Sequence, residues 1–364
     1  MLVERLEARS FRNLDRAEVE LGSGITLVHG PNGAGKTNLL EALCFGLVAA
    51  SWRTRADREL IAFGAELGRA EVVVSDDGET RTFLASATRA EGRTHRLDGH
   101  RVPDDVAELR PAVAVFSPDR LALVKGPPTE RRGHVDRFVA ALWPARADAR
   151  RRYGRTLAQR NALLGRIRAG AASEDGLAAW DAELAADAAA LIEARAAAVE
   201  RLAPPFASLA GDLGLEGEAA LRYRRRTESA EAGAIAGELR ERRAGDIERG
   251  HSTHGPHLDE IQVELGGRAL RRYGSQGQQR VALLALLFAE REALLEARRT
   301  PPLMLLDDVM SELDPERRLR LVELLRAEGQ ALITATEPSQ VPEGAERAEV
   351  EIHDGRVGAA ARVG

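Results

Sequence analysis

Cysteine is almost missing from this sequence: 364 residues hold one, Cys44. A lone thiol excludes an internal disulfide and leaves a structural zinc site without thiolates. It fits a reducing compartment, and a buried inert thiol is the plain expectation. Aromatic residues make up only 4% of the chain, so the core must be built mostly from Leu, Val and Ala. Long apolar runs are also missing. The longest, residues 281–289 and 39–50, are too short to span a bilayer. The start, "MLVERLEARSF", carries charges and no apolar core, so no signal peptide is read and a cytoplasmic location without a membrane partner is expected. Lysine is nearly as scarce: Lys36 and Lys125 are the only two, and every other basic residue apart from histidine is Arg. Where a lysine survives such drift, a need for a compact ammonium becomes more credible.

What is present suits a folded protein. Hydrophobic residues at 44% and charged residues at 30% exclude wholesale disorder. The net charge of −5 does not point to nucleic acid. Local charge does: from Arg120 to Arg160 there are eleven Lys or Arg against three acids, Glu130, Asp136 and Asp148.

The length predicts two packed lobes. Residues 2–30 read as short strands, followed by a Gly-rich turn and a helix from about Lys36 to Ala49. Hairpins are expected around Asp76-Asp77-Gly78 and in "RTHRLDGHRV", then a buried strand in "PAVAVFSPD". Residues 130–245 are rich in Ala, Arg, Glu and Leu at helical spacing. They predict helices of ordinary length, broken by Gly and Pro as in "LAPPFASLAGDLG". No heptad is sustained, so no long coiled coil is expected. Strand pattern returns at "DEIQVELGGRALRRY", "PLMLLDD", "QALITAT" and "AEVEIHDGRV". A strand-rich beginning and end around a helical middle predict an α/β lobe with an inserted, mostly helical lobe. The boundaries drawn are 1–118, 119–299 and 300–364.

"GPNGAGKTN" runs Gly30, Pro31, Asn32, Gly33, Ala34, Gly35, Lys36, Thr37, Asn38. It follows a strand and opens a helix, the context a phosphate loop requires. Glycines let backbone N–H groups curl around phosphate oxygens, and the helix start adds positive potential. Lys36 suits the β- and γ-phosphates, and the Thr37 hydroxyl suits Mg²⁺. The bland alternative is a structural turn. "LMLLDDVMSELD" is a buried strand ending in Asp307-Asp308. Alone it reads as a solvated cap. Opposite a phosphate loop, Asp307 is placed for Mg²⁺ and Asp308 for orienting or deprotonating a water.

In "YGSQGQQRVALLALLFAE", Ser275, Gly277 and Gln278 form a small, donor-rich helix start. An anion site and an ordinary N-cap are equally good readings of it. The arginines from 131 to 160 suit phosphate backbones, with Arg131, Arg132, Arg137, Arg151 and Arg152 as candidates for DNA contact. Six such contacts would give a log–log salt slope of about −5; the alternative is a solvated face. Arg222 and Arg224–Arg226 form a weaker patch. His251, His254, His257 and Asp259 invite a metal reading, but a structural turn is preferred.

The phosphate loop, "SQGQQR", "LLDDVMSELD", "FSPDRLALVKGPPTERR" and "YGRTLAQRNALL", in this order over nearly the whole chain, resemble the RecF family within the SMC-like ABC ATPase heads. The resemblance implies ATP and Mg²⁺ as ligands. It implies an ATP-dependent homodimer in which Ser275 and Gly277 face the nucleotide held by the partner's phosphate loop. Asp314 would lie at that seam, or act as a plain helix cap. It implies DNA as partner, at gaps or duplex–single-strand junctions, with RecR- and RecO-like mediators and assistance to recombinase loading. Asp308 stands where many ABC ATPases have Glu, and Thr334 and Thr336 where they place a switch histidine. Slow turnover is therefore expected. "GPHLDE" departs from the family pattern at Leu258 and Glu260. The rival readings are a transporter nucleotide-binding subunit, which would not need the arginine cluster, an SMC-like tether, which would need long coiled coils, and a non-hydrolysing DNA-binding scaffold.

Overall fold

The computed structural model describes residues 1–76, 78–90, 92–102, 111–342, 346–358 and 360–363. The chain divides into two compact units. Unit 1 comprises Met1–Leu121, Leu209–Glu216 and Ser275–Gly364, and unit 2 comprises Ala122–Ser208 and Gly217–Gly274.

Unit 1 begins with β1 (Leu2–Phe11), β2 (Leu14–Glu20), β3 (Ile25–His29), α1 (Lys36–Val48), β4 (Leu67–Asp76), β5 (Glu79–Thr88), β6 (Gly92–Leu97), β7 (His100–Arg101) and β8 (Val113–Phe116). Unit 2 follows with α2 (Ala122–Lys125), α3 (Pro128–Leu142), α4 (Ala149–Arg168), α5 (Leu177–Asp212), β9 (Ala219–Arg224), α6 (Ala232–Glu241), α7 (Arg243–Arg249), β10 (Glu260–Leu265), β11 (Arg268–Ala269) and α8 (Leu270–Tyr273). The last turn of α5 already belongs to unit 1. Unit 1 resumes with α9 (Gln276–Arg298), β12 (Leu303–Leu306), α10 (Pro315–Ala327), β13 (Ala331–Ala335), β14 (Arg347–His353), β15 (Arg356–Val357) and β16 (Ala361–Val363).

Two sheets of unit 1 enclose α1. The antiparallel sheet has the order β2-β1-β4-β5-β6-β7. Its strands alternate: Ala8, Ala70, Val72, Phe83 and Ala85 are buried, while Glu7, Arg9, Arg69, Glu71, Thr82 and Ser86 lie on the other face. The second sheet has the order β15-β14-β3-β13-β12-β8, parallel from β14 through β8. Its central strands, "ITLVH", "ALITA" and "LMLL", are almost wholly buried, as parallel strands covered on both faces must be. α1 is apolar nearly all round because it shares one core with Val72 and Ala85 of the first sheet and Val28, Leu305 and Leu332 of the second. Gly46 allows the close approach: a Cβ there would meet Val72 Cγ2 at 2.5 Å. Cys44 is buried in this core, and burial pushes its thiol up to about 12, which keeps it protonated and inert. The hairpin expected near residue 77 joins β4 and β5, whose ends pair Asp76 with Glu79; Asp77 itself lies outside the described residues.

In unit 2, α4, α5 and α6 bury Tyr153, Leu184, Leu191, Ile192, Ile235 and Leu239 in a separate core. A three-stranded antiparallel sheet runs β11-β10-β9.

The structure differs from the sequence expectations in three places. α5 is not broken at "LAPPFASLAGDLG": it runs 36 residues, through Pro204 and Pro205, and rises about 54 Å. Each interior proline costs about 3 kcal/mol. Burial of Leu202, Phe206 and Leu209 on the same stretch offsets this at roughly 1.5–3 kcal/mol per side chain. Next, Ala219–Arg224 is a strand, paired to β10 from Ala219↔Leu265 to Arg224↔Glu260, inside the segment expected to be helical. Finally, the units divide after residue 274 rather than 299. Helix α9 groups with unit 1 because it packs against β8 and the Pro118–Leu121 turn and is buried over most of its length.

Candidate nucleotide-binding site

β3 delivers the chain to a loop whose glycines adopt conformations other residues avoid. Gly30, Gly33 and Gly35 have φ of 151°, 82° and 113°. A Cβ on Gly30 would lie 2.1 Å from the Ile352 carbonyl oxygen, so strand β14 also demands glycine there. The loop is pinned by Ala34 N donating to Pro31 O at 3.2 Å and Gly355 N donating to Ala34 O at 2.8 Å. The buried Lys36 ammonium donates to Gly30 O at 2.7 Å and Pro31 O at 3.0 Å, across the mouth of the loop. Burial lowers its pKa, against the opposing pull of Asp308 and Asp307.

β12 brings the strand-end acids to the same place. Thr37 Oγ1 donates to the Asp307 carboxylate, 2.9 Å from each oxygen, joining residues 270 positions apart. Thr334, fully buried at the end of β13, completes the arrangement: its hydroxyl donates to Asp307 Oδ1 at 2.8 Å and accepts from Asp308 N at 2.8 Å. Burial raises the Asp307 carboxyl above its usual range, the Thr334 and Thr37 hydroxyls hold it down, and neighbouring Asp308 raises it. Asp308 takes φ 50°, left-handed for a non-glycine residue, at a strain on the order of 1 kcal/mol. Its Oδ1 is buried without a partner among the described residues. One carboxylate and one hydroxyl side by side suit Mg²⁺, which keeps most of its waters and takes phosphate oxygens as further ligands.

A polar collar holds the loop from outside. Asn13 Nδ2 donates to Gly33 O at 3.3 Å, and Asn38 Nδ2 donates to Asn13 Oδ1 at 2.7 Å. Arg12 grips the buried Glu41 of α1 through two bonds, 3.0 and 2.9 Å, and Arg53 NH1 bridges Asn38 and Glu41. The sequence reading missed Arg12, Asn13, Glu41 and Arg53, and named Thr334 only as standing where many ABC ATPases place a switch histidine, not as a partner of Asp307 and Asp308. Only the "RN" between two strands carried a turn signal, and nothing in it pointed to the loop.

The signature helix start shows the capping geometry in full. Ser275 Oγ accepts from Gln278 N at 3.2 Å, and Gln278 Oε1 accepts from Ser275 N at 2.9 Å. Gly277 has a different meaning. A Cβ there would meet only Ser275 Oγ, at 3.9 Å, so nothing in this chain requires glycine in this first turn, where it weakens the helix by about 1 kcal/mol. Asp314 caps α10 through Arg317 N at 2.9 Å, and Ser311 Oγ donates to Asp308 O at 2.9 Å. Arg280 of α9 pairs with Glu312.

The arginine cluster separates into two kinds. Arg131 is buried, donating to Glu260 Oε1 at 2.9 and 2.6 Å and to the carbonyls of Val124 and Gly126; it is spent inside unit 2 and is corrected from a DNA contact to a structural residue. Arg132 donates to Asp259 O at 2.8 Å and is half-buried. Arg160 is fully buried against Asp181, Asp246 and Ser252. Arg137, Arg151 and Arg152 are exposed. Histidines 254 and 257 are absorbed by Glu238 and by Tyr153 with the Ser252 carbonyl, so that segment is a bonded turn. Among the described residues, no group of three or more His, Cys, Asp or Glu could hold a metal ion.

Residues 2–357 match the family model described as RecF/RecN/SMC N terminal domain. Over 347 residues the chain is 37% identical to the DNA replication and repair protein RecF of Heliobacterium modesticaldum, covering 92% of each. The chain belongs to the RecF family. The RecF of Anaeromyxobacter dehalogenans is 39% identical over 347 residues, 91% of each chain. A solved structure of the recombination mediator protein RecF–ATP in the RecFOR pathway superposes with a TM-score of 0.88 at 26% identity, covering 100% of this chain and 98% of that one. The fold is the mixed α/β RecF and SMC-head ATPase fold, and the family is one of DNA replication and repair.

Proposed function

We propose that this chain is an ATP-dependent DNA-binding protein of recombinational repair and replication, working as an ATP-gated homodimer with slow hydrolysis. The observation that carries the reading is the Thr37–Asp307 contact, which joins the phosphate loop to the strand-end acid across 270 residues. ATP is the ligand that fits: backbone donors and Lys36 for phosphates, Thr37 and Asp307 to hold Mg²⁺, Asp308 to orient or deprotonate a water. Bound Mg²⁺ supplies charge neutralisation on the phosphate oxygens. Lys36 is freed from the Gly30 and Pro31 carbonyls when phosphate replaces them as its partner.

Gly277 supports the dimer. A glycine that its own chain does not need, in the first turn of a helix whose N-terminal end carries positive potential, is explained by the close approach of a second copy's nucleotide. Aspartate at 308 is one methylene shorter than the usual glutamate, which supports slow turnover. On unit 2, the exposed Arg137, Arg151 and Arg152 are the remaining cluster members suited to DNA phosphates. Family membership supports RecR- and RecO-like mediators as partners and assistance to recombinase loading as the role.

Fluorescence anisotropy of a gapped duplex at fixed salt, with and without ATP–Mg²⁺, tests the reading. Tight binding only with ATP, lost in Ser275→Arg, is the expected result. No ATP effect on either DNA binding or dimerisation overturns it.

A further inference from the structure

The outer face of the antiparallel sheet, turned away from α1, carries a line of like charge. In the strand register Arg16 lies opposite Arg9, and Arg9 opposite Arg69. The line continues through Ser86 and Thr94, whose hydroxyls bond each other at 2.7 Å. Five side chains at strand spacing cover about 19 Å. Their buried neighbours Ala8, Ala17, Ala70 and Ala85 point to α1, so all five point outward. Like charges directly opposite one another destabilise a sheet. Neutralisation here is partial: Arg9 bonds Glu7, Arg16 reaches Glu18 only at 3.8 Å, and Arg69 has no hydrogen-bond or ion-pair partner among the described residues. The next row in, Glu18–Glu7–Glu71, is acidic, so the arginines form the outer line toward the strand ends.

Beside that end stands an aromatic ring with no packing at all. Phe63 is 105% exposed. It occupies a tight turn closed by Ala65 N donating to Ala62 O at 3.0 Å, with Gly64 at φ 84° in the third position of a type II turn. The turn is fastened to the sheet: Ala62 N donates to Ser10 O at 2.8 Å, one residue from Arg9, and Arg89 Nε donates to Ala65 O at 3.1 Å. Leu67, 43% exposed, shares the outer face with Arg69 two residues on. The turn is therefore fixed to the sheet and holds the ring out into solvent, where a flat partner can reach it.

We infer that this face of unit 1 is a second nucleic-acid surface: the Arg16–Arg9–Arg69 line takes consecutive phosphates of a duplex strand, and Phe63 stacks on an unpaired base where that duplex ends. Guanidinium groups and hydroxyls in a line are the donors that phosphate backbones take, and an exposed aromatic on a fixed turn takes any base face. The surface reads no sequence and recognises a duplex–single-strand junction by geometry. It rests on the DNA-binding reading above and adds residues outside the unit 2 arginines.

Two variants test it against wild type, on a continuous duplex and on a duplex bearing a single-stranded gap, each across a salt series. The triple variant Arg9→Gln, Arg16→Gln, Arg69→Gln keeps side-chain bulk. Its log–log salt slope is expected to be shallower by about 3, with DNA-independent ATP turnover unchanged. Phe63→Ala is expected to keep the slope and lose about tenfold in preference for the gapped over the continuous duplex, the scale of one base–aromatic stack. An unchanged slope in the triple variant refutes the phosphate line. Wild-type gap preference in Phe63→Ala refutes the stacking role. If wild type itself binds neither DNA, the DNA-binding reading fails and takes this one with it. If the triple variant melts early, single Arg69→Gln, which removes no bonded partner, is expected to change the slope by about 1.

Discussion

Thr334→Val isolates one hydroxyl at the nucleotide site. Valine matches threonine in size and β-branching, so no cavity forms, but the hydroxyl that donates to Asp307 and accepts from Asp308 N is gone. The Asp308 N–H is left unpaired in a part-buried position, at about 1–3 kcal/mol, and loss of a bond to a carboxylate adds roughly 1.5–3 kcal/mol. Asp307 recovers part of this by protonating, since its carboxyl is already raised by burial. A net loss of about 3 kcal/mol in the nucleotide-free protein is expected, read as a fall in Tm of several degrees in thermal unfolding. With ATP–Mg²⁺ the Asp307 share of the deficit shrinks, because that carboxylate gains new partners. The Asp308 share persists, so turnover is expected to fall at least about tenfold with ATP affinity little changed, as loosening a positioned base does. Thr334→Ser, which keeps the hydroxyl, should track wild type in both assays. If Thr334→Val melts within a degree of wild type and turns over normally, the bridging role is wrong.

The other expectations are more compact. Lys36→Ala should abolish ATP binding in equilibrium titration, and normal affinity would overturn the phosphate-loop assignment. Asp308→Asn should keep ATP binding while turnover vanishes; persistent turnover would move the water-activating role elsewhere. Because burial raises Asp307 in the folded state, its contribution to stability is full below the unfolded carboxylate range and is lost as pH rises through the folded value. Nucleotide-free Asp307→Asn should therefore gain stability over wild type at neutral pH, with the gain fading on acidification; a difference that does not depend on pH would contradict the sign. Arg131→Ala, stranding Glu260 and breaking a largely buried pair, should lose about 3–5 kcal/mol in denaturant unfolding. Exposed Arg151→Ala should change stability by about 0.5 kcal/mol or less.

Local signals carried the phosphate loop and the strand-end acids. Glycines at Gly30, Gly33 and Gly35 and a four-residue apolar run before Asp307 each follow from short-range constraints visible in a linear reading. Thr334 was invisible in its role because its meaning depends on β12 and β13 lying side by side. β9 was lost for the same reason: "AALRYR" alternates correctly, but only its pairing to β10 distinguishes it from the helical composition around it. Arg131 and Arg151 look alike in sequence, and only the burial of one beside Glu260 separates structure from surface. The prolines at 204 and 205 misled because local propensity was weighed without the core that α5 buries.

The parallel sheet places β3, near the start of the chain, between β13 and β14, near its end. At ordinary rates of translation, those partners emerge from the ribosome about 15 to 60 s after β3 does. Through that interval the Gly-rich loop is already made, yet it has neither the carbonyl of Ile352 against Gly30 nor Asp307 beside Thr37. The nascent chain thus cannot assemble a nucleotide pocket early, and a truncated product would carry the motif without the site.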